Sequence, residues 1–240
     1  MRRIVRILLL LFLALLVTAG LGLFGVYRAT QQVPEFYQTA MKLERADQAV
    51  AGDEMERNVL GLRNDLQEQG RWEARFTEKQ INGWLAVDLP EKFTTSLPKG
   101  ISNPRVSIGT EGTRIAFRYQ GPRISTVVSL AGTITLTDET NVIAVRIAKV
   151  RAGLLPLPLK DFLDDISDAA RRSDLNLRWS TQDGDPVALI RVPTVSDDYD
   201  YEEVFIDRIE TADGELILSG HTGANTTAML DHQPQNRAVQ

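Results

Sequence analysis

Chemistry in this chain has few groups to start from. His221 and His232 are the only histidines, and cysteine is absent, which excludes thiolate nucleophiles, thiolate metal sites and disulfides together. A histidine base needs a nucleophile beside it. The surroundings of His221, "SGHTG", form no nucleophile elbow, and no G-x-S-x-G occurs anywhere. His221 therefore reads as an incidental strand-end residue, and a serine hydrolase built on it is the weakest of three functional readings. Asp161, Asp164, Asp165 and Asp168 share one helical segment, where i, i+4 spacing would suit an acid/base pair or metal ligands. Their alternation with apolar positions reads instead as the solvated side of an amphipathic helix. The run "SDDYDYEE" (Ser196–Glu203) has carboxylates enough for Ca²⁺, but it lacks the glycine and ordered alternation of a calcium loop and reads as a solvated loop. There is no P-loop, no GxGxxG and no zinc spacing. The expectation is a protein that is not an enzyme, with no catalytic residues, no cofactor and no metal.

The residues left to act are apolar. In "VRAGLLPLPLKDFLDDI" (Val150–Ile166), Leu154, Leu155 and Leu157 precede a helix that Pro158 is suited to open, so they fall in a turn. A turn that only connected two elements could have been polar. With Trp84, Leu85, Phe117, Tyr119, Phe162 and Ile166 they make the candidate lining of an apolar groove. Each methylene buried there is worth about 0.8 kcal/mol, so an acyl chain would need no charged contact. The alternative is that these side chains are ordinary core.

Several elements must position them. "RWEARF" alternates as a strand does, and Thr77 with Gln80 three residues on predicts a capping box opening a helix with Ile81, Trp84 and Leu85 on its buried face. "DLP" (Asp88–Pro90) is expected to end that helix. "RVSIGTEGTRIAFRYQ" predicts two strands about Glu111-Gly112, with Val106, Ile108, Ile115, Phe117 and Tyr119 on one face. A longer pair follows, turning near Asp138–Asn141. Phe162, Leu163, Ile166, Ala169 and Ala170 recur at the spacing of a helix that covers a sheet, and further strands follow it. Upstream, two helical stretches form a stalk, with a break or kink expected at Gly52–Asp53.

The N-terminus carries no charge from Ile7 to Tyr27, between Arg6 and Arg28. As a helix this run would be about 31 Å long, matching a hydrocarbon core of about 30 Å. Arg2, Arg3 and Arg6 place the N-terminus in the cytoplasm and the remainder outside. Cleavage after Val17–Ala19 is the competing reading, although the apolar run continues through Val26. The net charge is −5, and four cations (Arg2, Arg3, Arg6, Arg28) flank this run, so residues 29–240 carry −9. That balance argues against a nucleic-acid partner. The expected organisation is an anchor over 1–28, a helical stalk over 29–70, an α+β domain over 71–222 and a disordered tail over 223–240. The fold class expected is α+β, with a long curved antiparallel sheet wrapped around one or two helices.

The succession of anchor, "FTEKQINGWL" (Phe76–Leu85), long alternating strands and "AGLLPLPL" (Ala152–Leu159) resembles the extracytoplasmic YpmS-like proteins and, more distantly, the LmeA-like phospholipid-binding proteins. The resemblance covers roughly residues 72–222. It implies a TULIP-like architecture with an acyl-chain groove between sheet and helix, no catalytic residues, and a single-pass protein of the cytoplasmic membrane. The alternative, from a different class, is an envelope scaffold with a filled core that holds a protein partner through its stalk or acidic loop.

Overall fold

The computed structural model describes residue 25 and residues 27–93, 97–122, 124–157, 160–172, 175–194 and 203–223, with backbone alone at 160–162, 165 and 169. The expected anchor up to residue 24, the acidic loop before Glu203 and the tail after Gly223 lie outside the described residues. Among the described residues no helix is long and apolar enough to cross a membrane.

The chain is α+β, with a large antiparallel sheet and few helices. Residues 27–30 are helical, and α1 (Glu35–Met41) and α2 (Arg45–Asp65) follow. Of the break or kink expected at Gly52–Asp53, the break is corrected: α2 is one continuous helix through these residues, and the chain breaks at Lys42–Glu44 instead. Glycine is at position 52 because another helix crosses there. This is α3 (Glu78–Ala86), which follows β1 (Gly70–Thr77) and precedes the single turn α4 (Asp88–Lys92). A β-carbon on Gly83 would stand 2.5 Å from the Gln48 carbonyl oxygen and 2.7 Å from the Gly52 nitrogen.

In β1, Trp72, Ala74 and Phe76 point alternately into the core, as their period of two requires. Thr77 then closes the capping box: its Oγ1 accepts from the Gln80 N–H at 3.2 Å, and Gln80 Oε1 accepts from the Thr77 N–H at 2.9 Å. Thr77→Ala is expected to cost about 1 kcal/mol in urea unfolding, and Thr77→Ser much less. The expected stop at "DLP" is also corrected. α3 already ends at Ala86, and Pro90 falls inside α4, where a first-turn residue has no intrahelical N–H bond to lose.

Ten strands form two sheets among the described residues. The larger runs β2 (Ile101–Gly109), β3 (Gly112–Gln120), β4 (Ser125–Leu136), β5 (Val142–Ala152), then β8 (Asp185–Arg191) and β7 (Asn176–Gln182) in spatial order. The short β6 (Leu155–Pro156) pairs with the end of β5, so part of the expected turn is strand. α5 (Lys160–Arg172) lies between β6 and β7 in the chain. The smaller sheet is β1, β10 (Glu215–Thr222) and β9 (Val204–Ala212).

The open edge of β2 is covered by side chains of α3. Glu78 Oε2 accepts from the Ile108 N–H at 2.7 Å, and Asn82 accepts from the Val106 N–H and donates to the Val106 carbonyl, at 2.8 and 2.9 Å. Four helical residues rise about 6 Å and two strand residues about 6.7 Å, so an i, i+4 pair matches alternate strand amides. Asn141 does the same between the sheets. It sits in the β4–β5 turn at φ 54°, its Nδ2 donates to the Val204 carbonyl at 2.7 Å, and its Oδ1 accepts from the Ile206 N–H at 2.8 Å.

At the opposite end of the large sheet, Ala29–Gln31 dock directly. The Ala29 carbonyl accepts from the Leu154 N–H at 3.0 Å, the Thr30 carbonyl from Thr126 Oγ1 at 2.6 Å, and Gln31 Nε2 donates to the Ser125 carbonyl at 3.1 Å. Gly153, at φ 58°, makes room, since a β-carbon there would lie 2.3 Å from the Ala29 carbonyl oxygen.

Candidate functional site

The two faces of the large sheet carry different chemistry. On the first face, cross-strand partners align Phe117 with Val128 and Ala152, and Ile115 with Leu130 and Val150. α5 lays Leu163 and Ile166 against this face, Leu157 joins them, and Trp179 closes the side at β7. Trp179 Nε1 donates to Ser167 Oγ at 2.8 Å, and that hydroxyl donates onward to the Leu163 carbonyl at 2.7 Å, which ties the helix to the strand.

Between sheet and helix Val128, Ile147 and Val150 form the buried centre of a cluster. Phe117, Tyr119, Leu130, Leu157, Leu163, Ile166 and Trp179 pack against them yet stay half-exposed, and neighbouring Ile115 is 41% exposed. Of the nine residues expected to line a groove, Phe117, Tyr119, Leu157 and Ile166 thus meet in one apolar layer. Phe162 lies on α5 with its side chain outside the described residues. Leu155 is half-buried in β6, and Leu154 is 53% exposed at the turn. Trp84 and Leu85 do not join the layer. They belong to α3, where Trp84 lies 5.7 Å from the Phe93 ring.

The second face is cationic. Arg114, Ala131 and Lys149 face one another across β3, β4 and β5, and in the next row stand Arg105, Ala116, Ser129 and Arg151. Arg114 donates to Ser107 Oγ at 3.0 Å and lies 4.9 Å over the Phe36 ring. Arg105 is 4% exposed, its Nη1 donates to the Pro104 carbonyl at 2.7 Å, and its Nε has no hydrogen-bond partner among the described residues. Burial pulls the Arg105 guanidinium pKa down, partly offset by Tyr37. Tyr37, itself raised by burial, donates its hydroxyl to the Asn103 carbonyl at 3.0 Å and packs on Ala116 and Val127. Sequence reading for apolar lining passed over these cations. Their signal was the alternation itself: "KVR" and "RIAFR" turn a charge outward at every second or fourth residue in an acidic chain.

The groups first considered for catalysis sit apart. His221 Nδ1 lies 2.9 Å from Asp207 Oδ2, and its ring stacks on Phe205 at 4.8 Å. No hydroxyl bonds its Nε2 among the described residues. Asp164 and Asp168 are on the solvent side of α5, with Asp168 paired to Arg171. Among the described residues no three His, Asp or Glu side chains converge on a metal position. No family model, curated protein or solved structure matches the chain.

Proposed function

We propose that this protein is a non-catalytic, membrane-anchored protein that holds a phospholipid chain or another apolar ligand between the large sheet and α5, outside the cytoplasmic membrane. The observation that carries the reading is the unfinished burial of that layer. Seven large apolar side chains reach the three buried valine and isoleucine residues without being closed over, so an acyl chain would complete the burial at about 0.8 kcal/mol per methylene. In this reading the 12-residue β4 and 11-residue β5, with the bulge at Ala131/Gly132, curve the sheet around α5 in the TULIP-like manner. The membrane side is the end where Ala29–Gln31 dock. Three separate segments expose Tyr27, Ile124 and Leu154 there, at 62%, 41% and 53%. A scaffold reading draws on α2, which exposes Val50, Val59 and Leu60 to solvent.

The test is organic extraction of the full chain purified from membranes, followed by mass spectrometry. Co-purifying lipid near one per protein is expected, and Ile166→Glu should lower it at least tenfold, with Ile166→Ala intermediate should the charge disturb folding. A wild-type protein that carries no lipid and takes none up from labelled vesicles would leave the scaffold reading standing instead.

A further inference from the structure

We propose that the second face of the large sheet holds a phosphate-binding cradle, formed by Arg114, Lys149 and Arg151 over a floor of Ala131 and Ser129. These residues line a cavity of about 300 Å³, walled also by the Gln32–Phe36 segment and by Gly153 and Leu154. Neighbouring strands lie about 4.8 Å apart, so Arg114 and Lys149, two strands apart, straddle a gap of about 10 Å. The central strand contributes small side chains, leaving that gap unfilled, and the Ser129 hydroxyl rises from its floor. Two guanidinium forks and an ammonium can then reach one tetrahedral anion from opposite sides.

Among the described residues no carboxylate neutralises these charges, and Arg114 is held in place by Ser107 Oγ and the Phe36 ring. None of the three makes an ion pair among the described residues, whereas Arg146 further along β5, Arg178 on β7 and Arg191 on β8 each hold a carboxylate. Only one carboxylate, Glu35, lines the cavity. Three cations without a carboxylate partner, gathered on one face of a body that carries −9 overall, make a local positive patch that attracts an anion.

The phosphate is that of a bilayer lipid. The cradle reaches the exposed Leu154, whose own N–H donates to the Ala29 carbonyl, so one of its walls adjoins the segment that follows the N-terminal apolar run. This choice of source rests on the anchored reading above. The cradle itself does not, since it occupies the face opposite the apolar layer.

Calorimetric titration of the full chain in neutral detergent tests it, using dioctanoyl phosphatidic acid, dioctanoyl phosphatidylcholine and inorganic phosphate as probes. Phosphatidic acid should bind, with affinity falling as salt rises, and each of Arg114→Gln, Lys149→Gln and Arg151→Gln should weaken it about tenfold. All three side chains are exposed, so these variants should fold normally. Binding at least tenfold tighter than that of inorganic phosphate supports the lipid source, and equal affinities overturn that source while upholding the cradle. The cradle is overturned if no phosphate probe binds, or if the triple variant binds as the wild type does. Ile166→Glu should leave this titration unchanged, so the groove and the cradle fail separately.

Discussion

Asn141→Ala is expected to lower the unfolding free energy by about 3–5 kcal/mol. The side chain is 2% exposed and does two jobs at once. Its amide stands in for a strand residue, pairing with the Val204 carbonyl and the Ile206 N–H, and so joins the β4–β5 turn to β9. Truncation leaves both backbone groups without their partner, each worth about 1–3 kcal/mol when buried, and at these half-buried positions the lower part of that range applies. The backbone adds to the loss, because φ is 54° and alanine tolerates the left-handed region less well than asparagine. Asn141→Gly separates the two contributions: it keeps the conformation and loses only the bonds, so it should be about 1 kcal/mol less harmful. Urea titration followed by tryptophan fluorescence reads both variants.

Gly83→Ala carries the second large effect, and its sign decides between two physical arguments. Helix propensity alone favours alanine by about 1 kcal/mol. Against it, the new methyl group would stand 2.5 Å from the Gln48 carbonyl oxygen, 2.7 Å from the Gly52 nitrogen and 2.8 Å from Ala51 Cβ. Two of those neighbours are backbone of α2 and cannot rotate away, so the helices must separate and the crossing at Ala51–Gly52 must open. A net loss of about 2–3 kcal/mol is expected. Gly61, inside the same α2, is the control: nothing lies within 4 Å of a β-carbon there, so Gly61→Ala should stabilise by up to about 1 kcal/mol. Opposite signs from two glycine-to-alanine changes would establish the crossing. A stabilised Gly83→Ala would refute it.

These two positions also mark what local sequence can and cannot convey. Period-two alternation was enough to read β1 through β5, and the Thr77–Gln80 pair enough to read the start of α3, because the forces that set them act between residues close in sequence. Gly52 was read as a break or kink for the same reason, since a glycine in isolation speaks only of backbone freedom. Its real partner, Gly83, is a tertiary contact with no local signature. The apolar layer was half legible. Phe117, Tyr119, Leu157 and Ile166 were identified because they alternate or recur at helical spacing, but Trp84 and Leu85 share the same spacing and serve the packing of α3. Nothing in residue type distinguishes the two uses. The cationic face was visible in the same strands. It stayed hidden because register across β3, β4 and β5, which brings Arg114, Lys149 and Arg151 around small residues, is a property of pairing and not of any one strand.

The direct docking of Ala29–Gln31 onto Ser125, Thr126 and Leu154 has a mechanical consequence. A domain on a flexible leash samples a volume that grows with its linker, and its partner's effective concentration falls accordingly. Here the slack is absent, because the carbonyls of the last helical residues are already hydrogen-bonded to the sheet. If the preceding apolar run sits in a bilayer, helix and sheet tilt as one lever, and the body stays at the surface of its own membrane. Under the lipid-binding reading proposed above, a carrier shuttling between two membranes would need the opposite construction, and the docked geometry would suit extraction, presentation or sensing in place. Inserting a few glycine and serine residues between Arg28 and Ala29, ahead of the docked carbonyls, would uncouple the lever while leaving every side chain of the apolar layer untouched.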